Sequence, residues 1–162
     1  MIQFQPLYNN IYMQPVYQVP SPAIQMPSGQ RNYVIVDQNK VDYFVKQKEN
    51  AIPHLSNILS KSNNEAEITE SLYIVDRMID NGTKGIDKMY PVLSRFNNTN
   101  SPNIQTFLAG IYRKTQIPDA FGPLVAMLFR NSVNPPQANF DPNEEVGGAI
   151  LAYLSDRFRN NT

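Results

Sequence analysis

The sequence predicts an all-α fold, a short right-handed α-solenoid of about three stacked helical pairs preceded by a disordered N-terminal arm. Two observations carry this expectation. One apolar ladder occurs three times, as Ile52, Leu55, Ile58 and Leu59, then Ile86, Met89, Val92 and Leu93, then Phe121, Leu124, Met127 and Leu128, so that the repeats start 34 and then 35 residues apart. A second apolar helical stripe follows each ladder. Fixed periods of this size mark architectures in which no single unit can bury its own apolar face. The first 30 residues, by contrast, contain no Asp, Glu, Lys or Arg and are broken by Pro6, Pro15, Pro20, Pro22 and Pro27. Residues 1–32 are therefore expected to form an arm and 33–162 a helical repeat domain.

Along the chain, Tyr33 to Val36 is rich in β-branched residues and predicts a short extended piece covering the first helix. Helical spacing begins at Val41, Phe44 and Val45, with Asp37 as N-cap, and Pro53 predicts a break near Asn50. Asn64 and Glu67 have capping-box spacing before Ile68, Leu72, Val75 and Ile79, and Asn81-Gly82 ends that helix. The second pair is expected from Thr83 to Phe96 and from Ser101-Pro102 through Ile104, Phe107, Leu108 and Ile111, Ser as cap and Pro at the first helical position. The third opens at Ile117-Pro118-Asp119, ends its first helix near Asn131, and resumes at Asp141-Pro142 with Val146, Ile150, Tyr153 and Leu154 facing inward.

Composition narrows the function. A chain of 162 residues is about one domain and can bury a sizeable core. Lys+Arg and Asp+Glu both number 14, so the basic excess of a typical nucleic-acid binder is missing. Without cysteine there are no disulfides, thiolate metal sites or Cys nucleophiles. The single histidine, His54, has no partners for a His-based metal site or a triad, and no metal or cofactor is expected. Glu65 with Glu67 and Glu144 with Glu145 are carboxylate pairs, but both sit at helix starts, where the dipole favours negative charge. Gly147 and Gly148 lie inside a helix and suggest close packing with another backbone. No signal-like or membrane-length apolar segment is evident, and a cytoplasmic location is expected.

The paired helices resemble HEAT-type repeats over residues 51–158. Ile68, Ile104 and Val146 match the aliphatic position early in the second helix of a HEAT unit, with Leu72, Leu108 and Ile150 four residues later. The chain departs from that pattern at Thr69, Gln105 and Gly147, where an arginine is usual, and its helix prolines Pro53, Pro91 and Pro123 fall out of register. An irregular α-helical bundle is the alternative architecture. The tetratricopeptide period also fits, without the Trp, Gly and Tyr pattern of that family.

The resemblance implies that the second helices line a concave face where partners bind. On that basis Tyr73, Asp76, Arg77 and Asp80 on the first, Tyr112 and Arg113 on the next, and Asp156 and Arg157 on the last are the candidate partner-binding residues. Tyr and Arg are enriched at interface hot spots. The expected function is a non-catalytic protein-interaction or scaffold module for a peptide or protein segment. The alternatives are a nucleic-acid-binding or base-excising HEAT-like protein, for which Lys84, Lys88, Arg95, Arg113 and Lys114 form the candidate patch, and a self-assembling structural subunit.

Overall fold

The computed structural model describes residues 2–6, 15–16 and 33–160. The expected arm at 1–32 thus falls mostly outside the described residues. Within it, the chain forms strands that composition did not lead one to expect. Strand β1 (Ile2–Pro6) pairs antiparallel with both β2 (Pro15–Val16) and β3 (Tyr33–Asp37), in the order β2-β1-β3. The alternation of Ile2 and Phe4 with Gln3 and Gln5 is the two-residue period that a strand requires. Among the described residues from 38 onward, every regular element is helical.

Helix α1 (Gln38–Gln47) starts where Asp37 accepts hydrogen bonds from the Asn39 and Lys40 amides, at 3.0 and 3.3 Å. The break expected before Pro53 is a 3-10 turn, Lys48–Ala51, leading into α2 (Ile52–Lys61). Helix α3 (Glu65–Asp80) is capped by the Asn64 side chain accepting from the Glu67 amide at 3.1 Å. Its capping box closes indirectly: Glu67 accepts from the Ser62 hydroxyl, which in turn accepts from the Asn64 amide. Gly82, at φ +81°, turns the chain out of α3 in a left-handed conformation natural to glycine.

The first helix of the second pair does not form as one rod. A 3-10 turn (Ile86–Met89), a single turn α4 (Tyr90–Leu93) and a further 3-10 turn (Ser94–Phe96) replace it. Pro91 explains the break, because it has no amide to donate to the carbonyl four residues back and its ring crowds that turn. Helix α5 (Pro102–Thr115) begins at the Ser101 cap, whose hydroxyl accepts from the Ile104 amide at 3.3 Å. Helices α6 (Phe121–Val133) and α7 (Asn143–Asn160) close the described chain, α7 opening one residue later than its sequence suggests.

Packing sets three helices side by side. Helix α5 lies between α3 and α7; α2 packs on α3, and α6 on α7. Strand β3 and helix α1 also cover α3. The core runs continuously through these elements, from Val36 and Leu55 through Leu72, Leu108 and Leu124 to Val146. Hydrogen bonds tie together residues about one repeat apart in sequence. The Lys84 amide donates to Glu49, Ser101 to Glu65, Arg95 to the Leu59 carbonyl and Tyr153 to the Ile117 carbonyl, at separations of 35 or 36 residues.

Candidate interaction surface

The second helices α3, α5 and α7 carry all the candidate residues, and the fold treats them unequally. Because α3 is covered by α1, α2, β3 and α5, Tyr73 and Asp76 are each only 5% exposed, and Tyr112 on the sandwiched α5 is wholly buried. These three do not stand on an open concave face. Tyr73 instead meets Phe107 of α5 edge-on, with ring centroids 6.0 Å apart. The Tyr112 hydroxyl donates to the Asn97 side chain at 2.7 Å. Burial, with smaller contributions from Tyr90 and Tyr153, pushes the Tyr112 phenol far above its usual range.

The charges between the helices act as a clamp. Lys114, near the C-terminus of α5, donates to Asp76 and to Asp80 of α3, both at 2.8 Å. Burial pushes the Asp76 carboxyl above its ordinary value, against the opposing pull of Lys114. For Lys114, burial works to lower its value, but the Asp76 charge and the hydrogen bonds to both carboxylates outweigh it and hold the ammonium above its usual range. Arg77 pairs with Asp80 at 3.0 Å within its own helix, whereas Arg113 reaches across to Glu145 of α7 at 3.0 Å. Glu145 is 7% exposed, so it is an interhelical ion-pair member as well as a first-turn acid.

The candidate basic patch is similarly engaged. Arg95 donates to the Leu59 and Ser62 carbonyls and to the Asn63 side chain, each at 2.8 Å, capping the end of α2. Lys114 and Arg113 are held in interhelical ion pairs. His54 is exposed and rests its ring against Phe44 at 5.2 Å. Among the described residues, no group of three or more His, Cys, Asp or Glu side chains is placed to hold a metal ion.

Asp156 and Arg157 are placed differently. They rim a groove of about 440 Å³ with Gln116, over a floor of Pro118, Phe121, Tyr153 and Leu154. The floor is rigid. Tyr153 donates to the Ile117 carbonyl at 2.6 Å and packs against Phe121 with ring centroids 5.6 Å apart. Gln116, the C-cap of α5 at φ +54°, holds that conformation with its amide bonded to the Tyr112 carbonyl and its side chain to the Arg113 carbonyl. A second hollow, of about 610 Å³, runs from the Thr83–Asp87 turn past Lys114 and meets the groove at Gln116 and Pro118. Sequence spacing marked Phe121, Tyr153 and Leu154 only as members of apolar stripes and gave no sign that they meet Pro118, because the floor joins the start of α6 and the turn before it to the far end of α7.

No helix among the described residues is long and apolar enough to cross a membrane. Compared with known proteins, the chain matches no family model, no curated protein and no solved structure.

Proposed function

We propose that this chain is a non-catalytic interaction or scaffold module, HEAT-like in architecture, that takes a peptide or protein segment along the edge formed by the turns after α3 and α5 and the C-terminal half of α7. The observation that carries the reading is the groove: an apolar floor between an acidic and a basic side chain, the pattern of a pocket that seats one apolar residue and orients its charged neighbours. The solenoid reading is supported by the row α3, α5, α7 and by the hydrogen bonds recurring at one repeat interval. A cytoplasmic setting is the accompanying proposal.

Of the eight candidate residues, the proposal gives direct contact to Asp156 and Arg157. Tyr73, Asp76 and Tyr112 hold the helices together, and Asp80, Arg77 and Arg113 set the charge of the neighbouring surface. The test is selection of binders from a random peptide display library on the full chain, followed by affinity measurements on the variants Leu154→Glu and Arg157→Glu. Enriched peptides should share an apolar anchor and lose about tenfold or more in affinity to either variant. A library that yields no enriched sequence, or peptides that bind both variants as well as the parent, overturns the proposal.

A further inference from the structure

Helix α7 has a second, outward stripe on the side away from the core. Its inward side is Val146, Ala149 and Ile150, all buried. On the other side stand Glu144, Gly147 and Leu151, at intervals of three and four residues, and Phe158 seven residues further on, with Gly148 beside them. Leu151 is 65% exposed and Phe158 73%. A Cβ built on Gly147 or Gly148 would meet nothing within 4 Å, so close packing within the chain, the role expected from sequence, does not explain these glycines. The stripe therefore has a notch near one end and an aromatic knob near the other.

We infer that this face of α7 is a self-association surface, on which a second copy of the chain packs its own α7 antiparallel. Two features select that occupant and that direction. Charge is the first: the helix carries Glu144 in its first turn and Arg157 and Arg159 in its last, and the Arg159 side chain is 77% exposed beside Asp156. Antiparallel pairing centred near Leu151 sets Glu144 of each copy opposite Arg159 of the other, whereas parallel pairing sets like against like. The second is shape. Helical side chains lean toward their own N-terminus, so Phe158 covers the turn before it, and antiparallel pairing brings that turn over the partner's Gly147 and Gly148. Knob and notch are then used twice by one two-fold axis, as an isologous interface requires. The N-terminal arm is the competing occupant, but residues 1–30 contain no charged side chain, so a charge swap at Glu144 and Arg159 would not be read by it.

The test is solution mass of the full chain by sedimentation equilibrium at low salt over a micromolar to millimolar range, with helicity confirming that each variant is folded. The mass should rise from 18.4 kDa toward twice that value. Leu151→Glu and Phe158→Glu should each weaken association about tenfold or more. Gly148→Leu should weaken it while raising the melting temperature of the monomer. Glu144→Arg and Arg159→Glu should each weaken association singly, and together restore it to within about twofold. A monomer at every concentration overturns the inference, as does a dimer indifferent to Leu151→Glu. Failure of the double charge swap to recover overturns the antiparallel arrangement.

Discussion

Replacing Lys114 with methionine removes the one ammonium that bonds both Asp76 and Asp80 while keeping most of the side-chain length that packs between α3 and α5. An exposed ion pair contributes ~0 to 1 kcal/mol. This one differs because the Asp76 side chain is 8% exposed and that of Lys114 20%, so the variant leaves a carboxylate in a poorly hydrated position without its cation. Breaking a buried pair from one side costs about 3–5 kcal/mol, and the residual exposure of Lys114 places the expected loss at about 2–4 kcal/mol. Against a typical domain stability of ~5–15 kcal/mol, that is a large fraction.

Urea unfolding followed by helical circular dichroism reads the loss directly, and two further measurements separate the mechanism from lost packing. Adding Asp76→Asn should recover part of the deficit, since the buried charge that lost Lys114 is then gone. Acidification should recover some as well. A carboxyl whose folded value lies above its unfolded one binds protons more tightly when folded, so its effect on stability worsens as pH rises through that window and improves as pH falls. Burial already raises Asp76 with Lys114 present, and more so without it. A loss below about 0.5 kcal/mol, or a deficit unchanged between pH 4 and 7, would falsify the clamp.

Other predictions follow from single contacts. Asn131, 5% exposed, exchanges two side-chain hydrogen bonds with Gln105 at 2.7 and 3.2 Å and donates to Asn143 at 3.0 Å, so Asn131→Ala should cost about 2–4 kcal/mol in denaturant unfolding. Gly147→Ala should stabilise the monomer by about 0.5–1 kcal/mol, read as a rise in melting temperature, because the new Cβ meets nothing and helix propensity improves. In alkali, Tyr112, Tyr153 and Lys114 act together. All three have folded values above their ordinary ones, so their stabilisation is complete below pH ~10 and is lost as pH rises further. Tyrosinate absorbance should therefore show that the Tyr112 and Tyr153 phenols ionise only with loss of helicity; smooth titration of every tyrosine before unfolding would contradict it.

Local chemistry announced the helix starts. Asp37, Asn64 and Ser101 cap where their side chains suggested, because a cap is satisfied within three residues and needs no tertiary information. The second ladder misled for a related reason: Ile86, Met89 and Leu93 are buried as expected, yet apolar periodicity does not reveal that Pro91 divides the segment into single turns. Exposure on α3 was less legible still. An Asp in a helical stripe ordinarily marks the solvent side, and Asp76 departs from that only because Lys114, 38 positions away, meets it. A trace was present, since Asp80 and Lys114 lie 34 apart, the first repeat interval, but charge periodicity at that range is easily matched by chance.

The division of labour among the second helices follows from how many neighbours each must satisfy. Helices α3 and α5 are held on several sides, and their polar side chains are committed to Lys114–Asp76, Lys114–Asp80 and Tyr112–Asn97. A partner recruiting those groups would have to break contacts that stabilise the fold, which makes a face built from them costly to use. Helix α7 gives Glu145 to Arg113 and Tyr153 to the Ile117 carbonyl, yet keeps Asp156 and Arg157 beside a groove and Leu151 and Phe158 toward solvent. Recognition confined to α7 could therefore be lost by mutation with little change in stability. If instead every variant that abolished binding also lowered the melting temperature, recognition would belong to the buried network between α3 and α5, and the assignment of the surface to α7 would fail.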